Sequence, residues 1–185
     1  MTEEVIADLK EELERVVGSF KRELSHIRTG RASVALLEGI FVDYYGARTP
    51  LNQCAGVTAP EPRLLVIQPY DKSIFSEVEK AILQSDLGLV PVNDGKILRV
   101  PIPELTQERR KELVKHVRKV AEDFRVSIRS HRRDSLDLLK TLEKDKEITE
   151  DEHRRANEKI QEATNSYIER IDHVLKGKEA EIMEV

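Results

Sequence analysis

Three segments of the chain place apolar residues at alternating steps of three and four. This spacing puts apolar side chains on one face of an α-helix. One segment lies at the N-terminus, one runs from about Gln107 to about Lys144, and one begins with a capping box formed by Thr149 and Glu152. Because helices this long cannot bury an apolar stripe alone, we expect the three to pack as a long antiparallel bundle.

The limits of these helices follow from their apolar positions and flanking residues. Thr106 is a suitable N-cap for the second helix, and Thr29-Gly30 interrupts the pattern of the first. The predicted core positions are Ile6, Leu9, Leu13, Val16, Phe20, Leu24 and Ile27 in the first helix, Leu113, Val117, Val120, Phe124 and Ile128 in the second, and Ala156, Ile160, Ala163, Tyr167, Ile171 and Val174 in the third.

Residues 30–105 have a different pattern and predict a small β-rich α/β domain inserted into the bundle. Leu64 to Ile67 is a short apolar strand, Ser73 to Gln84 is a short helix, and Asn93-Asp94-Gly95 is a hairpin turn. The fold class is therefore α+β, with residues 1–29 and 106–185 in the bundle. We expect hinges near 29–31 and 101–105, and the hinge residues are Thr29, Gly30, Arg31, Pro101, Pro103 and Leu105.

Composition excludes several classes of protein. The one cysteine, Cys54, rules out an intramolecular disulfide, is best interpreted as a packing residue, and fits a reducing cytosol. No segment has the apolar length needed to span a bilayer, and the acidic N-terminus does not resemble a signal peptide. The five histidines lack metal-ligand spacing, and the chain has no Gly-rich phosphate loop. We therefore expect a cytoplasmic protein without metal or cofactor.

Charge is strongly segregated in the second helix. Between Arg109 and Arg133 the chain has ten Lys and Arg residues and three acids, although its net charge is −4. At helical spacing six of them share a face roughly opposite the apolar stripe: Lys111, Lys115, Arg118, Arg125, Arg129 and Arg132. Such a face is either simply solvated or a site for phosphate, because guanidinium groups match phosphate geometry.

Two other classes of function compete with nucleic-acid binding. A coiled-coil adaptor would explain the helices, but it would need a spare apolar stripe and would not explain why residues 134–185 have 15 acids and nine bases. An enzyme would need a pocket, and a thin bundle offers little room for one. Both alternatives fit the sequence less well than a polyanion-binding protein.

The order of several short motifs resembles the ribosome recycling factor family over essentially the whole chain. Departures are mild: Gln107 stands where the family usually has Glu, and Ser135-Leu136 where Ala-Asn is usual. The residues that carry the resemblance are Ile27 to Ala32, Asp43 to Gly46, Val78 to Ile82, Ser85 to Leu89, Arg99 to Pro103, Leu105 to Lys111, and Arg132 to Asp134.

The resemblance implies a translation factor, not an enzyme, with an L-shaped two-domain form. Members of the family bind large-subunit rRNA in the post-termination ribosome. Together with elongation factor G, which hydrolyses GTP, they split the ribosome into subunits and release mRNA and deacylated tRNA. We therefore expect a monomeric, cytoplasmic factor that needs no membrane and has these two partners.

The predicted rRNA-binding residues come from the motifs and from the basic face together. Arg28 has a competing interpretation, since an arginine at the end of a helix can also bond to its last carbonyl groups. The motifs supply Arg28, Arg31, Arg109, Arg110, Arg129, Arg132 and Arg133, and the basic face adds Lys111, Arg118 and Arg125.

Overall fold

The computed structural model describes residues 1–184, and the chain forms two compact units. The helical unit comprises Met1–Leu24 and the chain from Lys111 onward, and the inserted unit comprises Ser25–Arg110. In chain order the elements are α1 (Thr2–Ser25), a 3-10 turn (Val34–Leu37), β1 (Phe41–Tyr44), β2 (Ala47–Pro50), α2 (Leu51–Cys54), β3 (Ala55–Glu61), β4 (Leu64–Pro69), a second 3-10 turn (Lys72–Ile74), α3 (Phe75–Leu83), β5 (Val92–Asn93), β6 (Leu98–Pro101), α4 (Gln107–Lys144) and α5 (Glu150–Met183).

The helical unit is the predicted bundle of three long helices. Ion pairs between helices fix their directions: Glu3 and Glu14 of α1 pair with Lys159 and Arg170 of α5, so α1 and α5 run parallel. Pairs between α4 and α5 run in opposite order, as described below, so α4 is antiparallel to both. The core of the unit is made of side chains at the predicted spacing. The ring centroids of Phe20 and Phe124 are 5.2 Å apart.

The caps form as the sequence predicts. Thr106 Oγ1 accepts from the backbone N–H of Arg109, and α4 spans the predicted residues. Thr149 and Glu152 form the complete capping box of α5. No helix within residues 1–184 is long and apolar enough to cross a membrane.

The expectation that the first helix continues through Ile27 is wrong, since α1 ends at Ser25. The residues that follow make contacts inside the inserted unit instead. The His26 Nδ1–H donates to the carbonyl oxygen of Ala35 at 3.3 Å, and Arg28 Nη1 donates to that of Leu87 at 3.0 Å. These contacts compete with another helical turn, so the chain leaves α1 early.

The inserted unit contains two antiparallel sheets. β1 and β2 form a hairpin, and the other four strands have the order β3-β4-β6-β5. The turn predicted at Asn93-Asp94-Gly95 is confirmed: Gly95 has φ +90°, and the Asp94 carboxylate accepts from the backbone of Ile97. β3 and α2 are not among the predicted elements. Cys54 is buried in the core, as expected.

The two predicted hinge segments lie inside the inserted unit, beside the turn between β3 and β4. Ala32, next to the first segment, donates its N–H to the carbonyl oxygen of Pro62 at 2.7 Å. Ile102, within the second segment, donates to the carbonyl oxygen of Arg63 at 2.8 Å. Gly30 has φ +82°, and an added Cβ would lie 3.4 Å from the Leu105 side chain. The segments are therefore neighbours, while their hinge role stays a prediction.

Candidate nucleic-acid interface

The ten predicted RNA-binding residues divide between the two compact units. Arg28, Arg31, Arg109 and Arg110 belong to the inserted unit. The other six lie along α4 in the helical unit and are Lys111, Arg118, Arg125, Arg129, Arg132 and Arg133. Arg109 and Arg110 lie in the first turn of the same helix, so α4 carries eight of the ten, six of them in the helical unit, and this helix is the candidate site.

The basic face does not lie opposite the core. The buried side chains of α4 are Leu113, Val117, Ala121, Ile128 and Leu139. At about 100° per residue, their mean direction and that of the basic face differ by only about 100°. The prediction of a roughly opposite face is therefore wrong. It assigned the core to Val120 and Phe124, which are only half-buried, and omitted Ala121 and Leu139.

As a consequence, three arginines of the basic face reach across to α5. Arg118 Nε donates to Glu179 Oε1 at 2.6 Å, and Arg125 Nε donates to Asp172 Oδ1 at 2.9 Å. Arg132 Nη1 donates to the neutral amide oxygen of Gln161 at 2.9 Å. Over these three pairs the residue numbers rise along α4 and fall along α5, so the two helices are antiparallel.

Carboxylates compensate the charge of most of these arginines. Glu122, in α4 itself, accepts from Arg129 at 2.9 Å and from Arg125 at 3.1 Å. Hydrogen bonds from Arg129 and Arg125 lower the pKa of Glu122, and the bond from Arg118 lowers the pKa of Glu179. Both carboxylates are therefore ionised at neutral pH, and the net charge of the basic face is smaller than the sequence suggests.

Four cations of the basic run between Arg109 and Arg133 are exposed and uncompensated. Their side chains form no ion pair or hydrogen bond with any residue from 1 to 184, and they are Lys111, Lys115, Lys119 and Arg133. The predicted site contains neither Lys115 nor Lys119. Lys115 lies on the six-residue face, and Lys119 falls outside that face but belongs to the same basic run. In this run the charge available to a polyanion is concentrated on these four side chains and on Arg132, whose partner is neutral.

The arginines of the inserted unit have structural contacts. Arg28 is half-buried and bonds to the Leu87 carbonyl in the loop after α3. The capping interpretation is therefore wrong, because the acceptor is a loop carbonyl after α3 and not one of the last carbonyl groups of α1. Arg110 Nε donates to the Leu105 carbonyl at 3.4 Å, while Arg31 and Arg109 are exposed. None of these contacts tests an RNA-binding role.

The side chains of this surface are suited to reversible anion binding. No cluster of three metal-ligating side chains occurs within residues 1–184. Burial raises the pKa of the Cys54 thiol, which keeps it protonated and unreactive. Lysine and arginine side chains on a rigid helix can bind phosphate groups without reading base sequence.

Comparison with known proteins agrees with the family resemblance. Residues 20–183 match the family model described as ribosome recycling factor. The chain is 53% identical over 185 residues to the ribosome-recycling factor of Bacillus pumilus, and 55% identical over 185 residues to that of Geobacillus kaustophilus. Both alignments cover 100% of each chain.

Solved structures give the same result. A solution structure of a ribosome recycling factor superposes with a TM-score of 0.80 at 38% identity, covering 100% of this chain and 98% of that one. The Thermus thermophilus factor, in a structure with Escherichia coli elongation factor G bound to the E. coli post-termination complex, gives 0.69 at 46% identity, covering 99% of each chain. Matches that extend from one end of the chain to the other show that it belongs to the ribosome recycling factor family.

Proposed function

We propose that this protein binds the post-termination ribosome and, with elongation factor G and GTP, splits it into subunits. The reaction releases mRNA and deacylated tRNA for another round of initiation. The observation that carries the proposal is the end-to-end similarity to a factor whose structure is described on a post-termination complex together with elongation factor G. The same observation supports elongation factor G as the second partner.

The helical unit is the part that docks on the large subunit, through rRNA phosphates. The uncompensated cations of α4 support this assignment, because each phosphate contact releases counterions and gives affinity without sequence specificity. Arg129 and Arg132 were predicted both from family motifs and from the basic face. In this proposal the carboxylate-paired arginines contribute less than Lys111, Lys115, Lys119, Arg132 and Arg133.

Energy for splitting comes from the partner. The sequence has no Gly-rich loop followed by Lys-Ser or Lys-Thr, the usual cradle for nucleotide phosphates. GTP is therefore hydrolysed by elongation factor G, and this protein transmits force rather than catalysing a reaction. Two segments beside the β3–β4 turn, 29–31 and 101–105, act as the hinge that lets the inserted unit move while α4 stays docked.

The protein acts as a cytoplasmic monomer. Within residues 1–184 eleven large apolar side chains are exposed, four in the helical unit and seven in the inserted unit. Exposed apolar residues of this number are usual for a monomer. A monomer also suits a factor whose partners are the ribosome and elongation factor G.

Light scattering tests the proposal directly. Purified protein is added with elongation factor G and GTP to post-termination ribosomes. We expect a fall in scattering as ribosomes split, and no fall when either the protein or GTP is omitted. Unchanged scattering in the complete reaction would overturn the recycling function.

A further inference from the structure

Arg132 differs from the other paired arginines of α4 in the charge of its partner. Arg118, Arg125 and Arg129 each donate to a carboxylate. Arg132 instead donates to Gln161, a neutral amide on α5. An amide accepts a hydrogen bond but does not cancel a charge, so Arg132 is held in place and keeps its full positive charge.

The amide itself is held by a second amide. Gln161 Nε2 donates to Asn165 Oδ1 at 2.8 Å, one helical turn further along α5. Since the NH₂ end of Gln161 is used in this bond, its oxygen is the end that faces Arg132. Asn165 therefore sets the orientation of the acceptor. The two amides form a short chain of hydrogen bonds that ends at Arg132 on α4.

The Nε side of the Arg132 guanidinium is closed to an incoming anion. Its Nε is buried and has no hydrogen-bond partner within residues 1–184. Its Nη2 group forms no hydrogen bond with the described residues either. Burial of Nε leaves the Nη edge as the part of the fork that an incoming anion can use, and two N–H groups on one edge suit a phosphate.

We propose that Gln161, oriented by Asn165, is a positioning residue that aims the Arg132 guanidinium at an rRNA phosphate while leaving its charge uncompensated. This inference rests on the proposed docking of α4 on rRNA. It explains why an arginine at the α4–α5 boundary remains available for binding, although its neighbours at the same boundary are neutralised. A fixed guanidinium also loses less side-chain entropy on binding than a free one.

Substitution of Gln161 separates charge from geometry. Gln161→Glu has nearly the same shape but supplies a carboxylate that pairs with Arg132. We expect this variant to bind isolated large ribosomal subunits about tenfold more weakly, and its slope of log K against log salt to fall by about one. Gln161→Met removes the acceptor without adding charge, and we expect it to weaken binding only about twofold.

Ser166→Glu is the matched control. It adds the same charge to the same helix at an exposed position, about 140° around α5 from Gln161. We expect it to bind within about twofold of the unsubstituted protein, with an unchanged salt slope. Thermal unfolding of all variants should coincide, because Gln161 and Ser166 are both exposed.

A double-mutant cycle with Arg132→Ala decides between a local and a general effect. If Gln161 acts through Arg132, Gln161→Glu will have no more effect than Ser166→Glu once Arg132 is absent. An equal loss in both backgrounds would overturn the inference, and so would a Gln161→Glu variant that binds like the unsubstituted protein. If the unsubstituted protein itself fails to bind large subunits, the proposed function fails as well.

Discussion

In the helical unit the buried side chains lie along one face of each of three long helices. The inserted unit draws its core from strands, turns and short helices that are distant in sequence. Leu65 and Ile67 of β4, for example, are buried together with Val78 and Ile82 of α3. A periodic core follows from local pattern. The core of the inserted unit depends on strand pairing, which local pattern does not specify.

The two units also differ in how they carry charge. Residues 25–110 contain ten basic and ten acidic residues. In the helical unit, Lys111 to Lys144 contain ten basic and six acidic residues, against eleven basic and nineteen acidic in the rest of that unit. The inserted unit is thus neutral, while the helical unit separates its charges onto different helices. We therefore expect a polyanion to bind to one helix of one unit.

Core substitutions should have the largest effects, and they compare the two cores. Phe20 and Leu65 are fully buried, one in α1 of the bundle and one in β4, the strand between β3 and β6. We expect Phe20→Ala to lower the free energy of unfolding by about 3–5 kcal/mol and Leu65→Ala by about 2–5 kcal/mol, measured by denaturant titration. A loss below about 1 kcal/mol in either would contradict the packing described for that unit.

Loss of the α5 cap should have an intermediate effect confined to the helical unit. Thr149→Ala removes the oxygen that accepts from the Glu152 N–H, and we expect a loss of about 1 kcal/mol in unfolding free energy. Thr149→Ser keeps a hydroxyl at the cap and is the matched control. If both variants lost the same stability, the hydroxyl would not be responsible.

Removal of a compensating carboxylate should strengthen binding. Asp172→Asn leaves Glu122 as the remaining carboxylate partner of Arg125 and removes one negative charge beside the basic face. We expect about threefold tighter binding to large subunits at low salt. Asp8→Asn makes the same charge change at an exposed position of α1 and serves as the control. Equal gains in both variants would mean that the net charge of the whole protein, and not the charge of the basic face, governs affinity.

The smallest effect concerns an ion pair between α1 and α5. Hydrogen bonding by Arg170 lowers the pKa of Glu14 from 4.5 to about 2. A depressed folded-state pKa gives stability that is complete above the unfolded value and is lost as pH falls toward the folded value. Glu14→Gln should therefore lower the unfolding temperature slightly at about pH 7, and the difference should vanish near pH 2. A difference that persisted in acid would exclude this carboxylate as its cause.

Local signals predicted the elements that depend on local contacts. The limits of α4 follow from the Thr106 cap and the apolar spacing, and the β5–β6 turn follows from Asn93-Asp94-Gly95. β3 was missed because it contains Gly56 and Pro60 and shows no alternation of buried and exposed residues. Its place is decided by pairing with β4, which no local pattern encodes.

The site was predicted less completely than the fold, and for a related reason. Sequence alone identified the basic run and most of its members. Which arginines are neutralised depends on the rotation of α4 against α5, because the acceptors Glu179 and Asp172 lie 61 and 47 residues away in the chain. The acids within the basic run, between Arg109 and Arg133, do not include these two acceptors.

Charge reversal on each unit tests the central claim, that the exposed cations of α4 bind large-subunit rRNA. Lys115→Glu with Lys119→Glu removes two uncompensated cations of α4, and Lys72→Glu with Lys96→Glu makes the same change on exposed positions of the inserted unit. Binding to isolated large subunits is measured over a range of salt concentrations. We predict that the α4 variant loses about 100-fold in affinity and about two units of salt slope, while the inserted-unit variant binds within about twofold of the unsubstituted protein. Equal losses in the two variants, or an unchanged α4 variant, would contradict the account.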